Sequence, residues 1–153
     1  MATAQDPEDA LLLLRTFARL ADLPIRLNLQ VEDETAFIML SLEGVDAQVM
    51  ADLEVMLLTL LMRALNWMVG KTIPYMATYS RSQAFQSRHP YHPEFDCEVR
   101  VSDWTGACLP QEWLKLPLAQ EGVRETVSDI LTWLVFGNYG EVTTLKSVAG
   151  ARP

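Results

Sequence analysis

Apolar positions along the chain change their period several times, and each change marks an element. Asp6-Pro7 places a capping carboxylate before a proline at the first helical position. Leu11, Leu14, Phe17, Ala18 and Ala21 then recur at helical spacing until Pro24 stops the run. Ile25, Leu27, Leu29 and Val31 alternate with Arg26, Asn28 and Gln30, the period of a half-buried strand. After the charged turn Glu32-Asp33-Glu34, the stretch Thr35–Leu42 is apolar on both faces. One side must be core and the other needs a cover.

The longest run begins after Asp46, a capping residue, and the spacing predicts a helix over Ala47–Val69 ended by Gly70. Val49, Leu53, Met56, Leu57, Leu60, Ala64 and Trp67 form one stripe, which Val55, Leu58, Leu61, Leu65 and Met68 widen almost all the way round. Such a helix is buried on more than one side. Asp52, Glu54, Arg63 and Asn66 interrupt it before it could span a bilayer. Pro74–Ser80 reads as a strand, Arg81–Pro93 as a long polar connection, and Cys97–Val101 with Thr105–Leu109 as a hairpin. Pro110–Leu114 is a short turn, Val123–Phe136 a last helix ended by Gly137, and 138–153 a tail. These elements give an α+β fold: an antiparallel sheet of about five strands with two to three helices layered on it.

Composition narrows the function. A chain of 153 residues is one domain, able to bury roughly two-thirds of the surface its unfolded form exposes. Half of the residues are hydrophobic and 21% charged, which excludes a disordered polymer. The net charge of −8 and the scatter of the 12 Lys and Arg argue against nucleic-acid binding by this chain, because phosphate contacts need a basic cluster. The first ten residues lack a basic region and Leu11–Leu14 is too short for a signal-peptide core, so a cytoplasmic protein is expected. Two cysteines are too few for a disulfide scaffold. Cys97 and Cys108 are read as reduced core thiols, brought near each other by the hairpin.

The motifs of catalysis are missing. His89 and His92 each precede a proline, which disfavours the helical backbone that would align them for a metal. Ser80 or Ser87 with His89 and Asp96 makes a triad on paper, yet without a nucleophile elbow. The glycines are isolated, so no phosphate-cradling loop exists. The chain is read as no enzyme, with no cofactor and no metal. What remains is binding: Tyr75, Tyr79, Arg81, Arg88, His89, Tyr91 and Trp104 come from a strand, a loop and a hairpin expected to meet at one end of the sheet. Aromatic walls with a few oriented cations suit a small molecule, and an arginine fork suits a carboxylate.

The segment from Tyr91 to Leu118 carries a further pattern: Tyr91-x3-Phe95-x-Cys97-x-Val99-x-Val101, then an apolar strand and Leu114-x-x-Pro117-Leu118. It resembles the effector-binding domain of AraC-type transcriptional regulators of the arabinose-binding-like class, and the resemblance reaches back to Asp9. Two features depart from the family. Val101 stands where members carry Phe, and no pair of helix-turn-helix units follows. The resemblance implies a small-molecule effector and a homodimer formed through a helix. Residues 1–137 would be the effector-binding and dimerisation domain, and 138–153 a tail toward a missing helix-turn-helix domain. The expected dimer face is Leu58, Leu61 and Leu65, opposite Leu53, Leu57 and Leu60. The alternative is an interaction module that keeps the dimer surface and binds no small molecule.

Overall fold

A computed structural model describes residues 4–44 and 47–119, together with Asp129. The expected cap at Asp46, the helix Val123–Phe136 and the tail 138–153 lie outside the described residues. Helix α1 (Pro7–Leu20) starts as expected, with the Asp6 carboxylate accepting from the Asp9 N–H at 2.9 Å. Strands β1 (Ile25–Glu32) and β2 (Thr35–Leu42) pair antiparallel from Ile25↔Leu42 to Glu32↔Thr35. Asp33 and Glu34, with φ of 48° and 66°, turn the chain between them in the left-handed geometry that matches strand twist. Helix α2 (Ala47–Val69) ends where Gly70, at φ 69°, takes the left-handed conformation and its N–H reaches the Asn66 carbonyl.

The remaining elements are β3 (Ala77–Ser80), α3 (Gln83–Arg88), β4 (Glu98–Val101), β5 (Thr105–Pro110) and a 3₁₀ turn at Gln111–Leu114. The five strands form one sheet in the order β1-β2-β5-β3-β4, antiparallel throughout except for the parallel pair β3–β4. The α+β architecture read from the sequence is therefore the one observed. The expected hairpin is not: β3 lies between β4 and β5 and pairs with both. The connection through α3 returns the chain far enough for a parallel pair to form. Cys97 and Cys108, both free and buried, are thus held apart by a strand.

Helix α2 covers one face of the sheet. Ala36, Ile38, Leu40, Ala107 and Leu109 meet Leu58, Met62, Leu65 and Val69 in the main core. Each fully buried aliphatic side chain there contributes about 1.5–3 kcal/mol. This reverses the faces expected for the helix. Leu58 and Leu65 are buried inside the protomer and Leu61 is half-buried against the core, so they cannot form the outward dimer face. Val49, Leu53, Met56, Leu60 and Trp67 are the large apolar side chains that α2 exposes, with Met56 at 61% and Leu60 at 54% exposure. Both faces are apolar, and hydrophobicity alone could not choose between them.

On the opposite face of the sheet, the Trp104 ring lies over Gly106. A methyl group there would collide with the Ile38 carbonyl oxygen and stand 2.6 Å from Trp104 Cζ3. Gly106→Ala is therefore expected to lower stability by about 1–3 kcal/mol, as overpacking does. A urea midpoint equal to that of the unmodified protein would show that both the Trp104 ring and the Ile38 carbonyl can shift aside.

Candidate functional site

The residues expected to converge are dispersed over the protein. Tyr79 and Trp104 stack on the outer face of the sheet, ring centroids 4.3 Å apart, with Phe37 edge-on to Trp104 at 6.4 Å. Arg100 caps this cluster, its guanidinium 5.9 Å from the Tyr79 centroid and its Nη1 donating to the Tyr79 hydroxyl at 3.3 Å. Burial beside Cys108 raises the pKa of Tyr79. Tyr75 points the other way, into the core, where its hydroxyl donates to the Met62 carbonyl at 3.1 Å. Tyr91 is 65% exposed and joins Glu98 in a single bridge.

Arg81 is engaged inside the protein. Its Nε and Nη2 donate to the two Glu54 oxygens at 3.0 and 2.7 Å. Glu54 has no exposed surface, and it also accepts from the Thr105 hydroxyl at 2.9 Å and the Leu42 N–H at 3.0 Å. A carboxylate so enclosed needs all of these donors. Arg81 therefore cannot serve as half of a ligand fork while Glu54 holds it.

Arg88 and His89 stand at the end of α3, a helix absent from the sequence reading. Ser82 caps it, its hydroxyl oxygen accepting from the Phe85 N–H at 3.1 Å, and the same hydroxyl donates to Asp52 on α2 at 3.3 Å. The signal was local: a serine followed by Gln83-Ala84, good helix formers, inside a stretch read as a long polar connection. Residues of α3 and α2 together line a groove of about 430 Å³. Val55, Met56, Leu60 and Phe85 form its apolar walls; Asp52, Thr59, Arg63 and Arg88 supply its polar groups. Arg63 is already held by Glu94, with Nε to carboxylate distances of 2.7 and 2.8 Å. Of the expected ligand residues only Arg88, whose Nε donates to the Ala84 carbonyl at 3.3 Å, lines this groove.

Beside the groove lies His92, buried between Phe85 and Phe95 at centroid distances of 6.0 and 4.9 Å. Its Nδ1 accepts from the Glu94 N–H at 3.1 Å. The Thr59 hydroxyl donates to the Val55 carbonyl, which leaves the Thr59 oxygen to accept from His92 Nε2–H at 3.4 Å. Acceptance at Nδ1 requires the neutral ring, with its one proton on Nε2. Burial lowers its pKa, against the smaller opposing pull of Glu94 and with the support of His89 and Arg63.

No family model matches the sequence, and no curated protein matches it. Among solved structures, the fold is similar to the crystal structure of transcriptional regulator CdpR from Pseudomonas aeruginosa, with a TM-score of 0.52 and 16% sequence identity. The similarity covers 99% of this chain and 53% of that one, so the chain spans about half of its structural neighbour. At this identity the likeness is one of fold: the chain has the fold of part of a transcriptional regulator.

Two outcomes follow from these contacts. Arg81→Ala strands a buried carboxylate and is expected to cost about 3–5 kcal/mol, measured by urea unfolding; a loss below about 1 kcal/mol would mean that water reaches Glu54. The depressed pKa of His92 implies that the unfolded chain takes up a proton first, so stability is retained above about pH 6.5 and falls as pH drops below it. Unfolding free energies measured across that range should show a slope that His92→Asn reduces. An unchanged slope would mean that the imidazole titrates alike in both states.

Proposed function

We propose that the chain is the regulatory domain of a transcriptional regulator of AraC type, sensing a small-molecule effector and self-associating, with DNA contacted by a separate domain. The observation that carries this reading is the fold shared over 99% of this chain with about half of a transcriptional regulator. The net charge of −8 supports the division of labour, because this surface repels phosphates. The α2–α3 groove supports effector binding, with apolar walls and one arginine suited to a carboxylate.

The outer stripe of α2 is the self-association surface in this reading, in place of Leu58, Leu61 and Leu65. Leu53, Met56, Leu60 and Trp67 are spaced by three, four and seven residues and are all exposed, the seam one helix offers another. Met56 and Leu60 also line the groove. A ligand in the groove and a partner on the stripe therefore touch the same side chains, and each changes the free energy of the other's binding.

Calorimetric titration with a panel of amino acids and organic acids tests the sensor. A partly desolvated arginine contact is worth about 1.5–3 kcal/mol, so Arg88→Ala should weaken the best ligand roughly 10- to 100-fold while leaving the melting temperature nearly unchanged. Affinities indifferent to that substitution would remove the groove from the account. Sedimentation tests the stripe: Leu60→Glu should convert a dimer into a folded monomer. An unmodified protein that is monomeric at micromolar concentration would contradict self-association through α2.

A further inference from the structure

The face of the sheet turned away from α2 carries a row of aromatic side chains. Register places Arg100 of β4 beside Tyr79 of β3, Tyr79 beside Gly106 of β5, and Met39 of β2 on the far side of Gly106. The Trp104 ring covers Gly106 and stacks on Tyr79, and Phe37 meets it edge-on. One end of the row is already capped by a cation, since the Arg100 guanidinium lies 5.9 Å from the Tyr79 ring centroid.

The other end is open. There Phe37, Met39 and Trp104 line a hollow of about 210 Å³ together with Gln30 and Glu32 of β1. Gln30 and Glu32 are two apart on the strand and so share a face, and Gln30 stands opposite Phe37. Gln30 Nε2 donates to Glu32 Oε1 at 3.2 Å, which ties the carboxylate to the residue opposite the phenyl ring. Among the described residues no lysine or arginine forms an ion pair with Glu32.

This lining selects its ligand. Aromatic faces and a carboxylate both attract positive charge, and a chain of net charge −8 concentrates cations near its surface. A primary ammonium carries three N–H donors, for which Phe37, Met39 and the Trp104 ring offer no strong acceptor, so its desolvation would go uncompensated. A quaternary ammonium has no N–H to satisfy, and it presents methyl groups that carry the positive charge onto aromatic rings. The hollow is larger than the roughly 150 Å³ that holds a benzene molecule, so a trimethylammonium group has room in it.

We propose that this hollow binds a quaternary ammonium compound, its methyl groups on Phe37, Met39 and Trp104 and its charge against the Glu32 carboxylate. The site goes beyond the regulatory reading: it lies on the sheet face opposite α2 and shares no residue with the groove.

The experiment is a calorimetric titration with choline and tetramethylammonium at low ionic strength, where exposed charges are least screened. The controls are 3,3-dimethylbutanol, the uncharged isostere of choline, and ethanolamine, its primary-ammonium counterpart. Choline is expected to saturate and to bind at least about tenfold more tightly than either control. Glu32→Gln should weaken choline about three- to tenfold without changing the affinity for dimethylbutanol. Phe37→Leu, which keeps an apolar wall and removes the ring, should weaken choline about tenfold; if that variant does not fold, the comparison of choline with its isostere on the unmodified protein decides. No saturable choline binding, or dimethylbutanol or ethanolamine binding as tightly as choline, overturns the proposal. So does a choline affinity indifferent to Glu32→Gln, which would leave only a general attraction of cations to an acidic chain. Absence of choline binding with the Arg88-dependent binding of the groove retained defeats this proposal alone.

Discussion

One enclosed carboxylate organises the molecule. Glu54 sits on the inner face of α2 with no exposed surface, and its two oxygens are met by Arg81, Thr105 and the Leu42 N–H. Those donors come from the end of β2, the start of β5 and the junction between β3 and α3. Removing a carboxylate from water costs several kcal/mol, which only a complete set of donors offsets. The helix can therefore adopt one rotation and one depth against the sheet. An apolar helix without Glu54 would have several nearly equivalent ways to lie on Ile38, Leu40 and Leu109, because Leu53, Leu57, Leu58, Leu60, Leu61 and Leu65 surround it.

The groove and the outer stripe of α2 are consequences of that rotation. It turns Leu58, Met62 and Leu65 inward and leaves Leu53, Met56, Leu60 and Trp67 exposed. On one flank the Ser82–Asp52 hydrogen bond holds α3 against α2 and makes the groove with Arg88. On the other flank α1 stands off far enough to leave an apolar cleft. Leu60 is the ridge between the two cavities and belongs also to the outer stripe. The two cavities and the exposed stripe therefore share one side chain.

Much of the fold was legible because strand and helix periods are local. Alternation over Ile25–Val31, the proline at position 7 and the glycine at position 70 placed β1, α1 and the end of α2 where the structure has them. Strand order was not legible, since β3 slips between β4 and β5 by long-range pairing that no spacing near Ser102–Gly106 encodes. The site was read only in part. Tyr79 and Trp104 do meet, but Arg81 serves Glu54 and Tyr91 faces solvent. In the sequence Glu54 was read only as an interruption of an apolar run. Its position four residues before Leu58 and eleven before Leu65 puts it on their stripe, and an acid on a buried stripe calls for a buried cation. The outward face of α2 was misassigned for a related reason, because both faces of the helix are apolar and the residue that sets its rotation was read only as a break in that run.

The most direct test is therefore a double-mutant cycle on Glu54 and Arg81. Glu54→Gln, Arg81→Gln and the pair would be unfolded in urea, with Arg63→Gln and Glu94→Gln as a cycle on an exposed ion pair. A buried network of this kind is expected to give a coupling of about 2–3 kcal/mol, against less than about 1 kcal/mol for the exposed pair. Equal couplings, both within the exposed range, would contradict the account, for Glu54 would then not be what fixes α2 on the sheet.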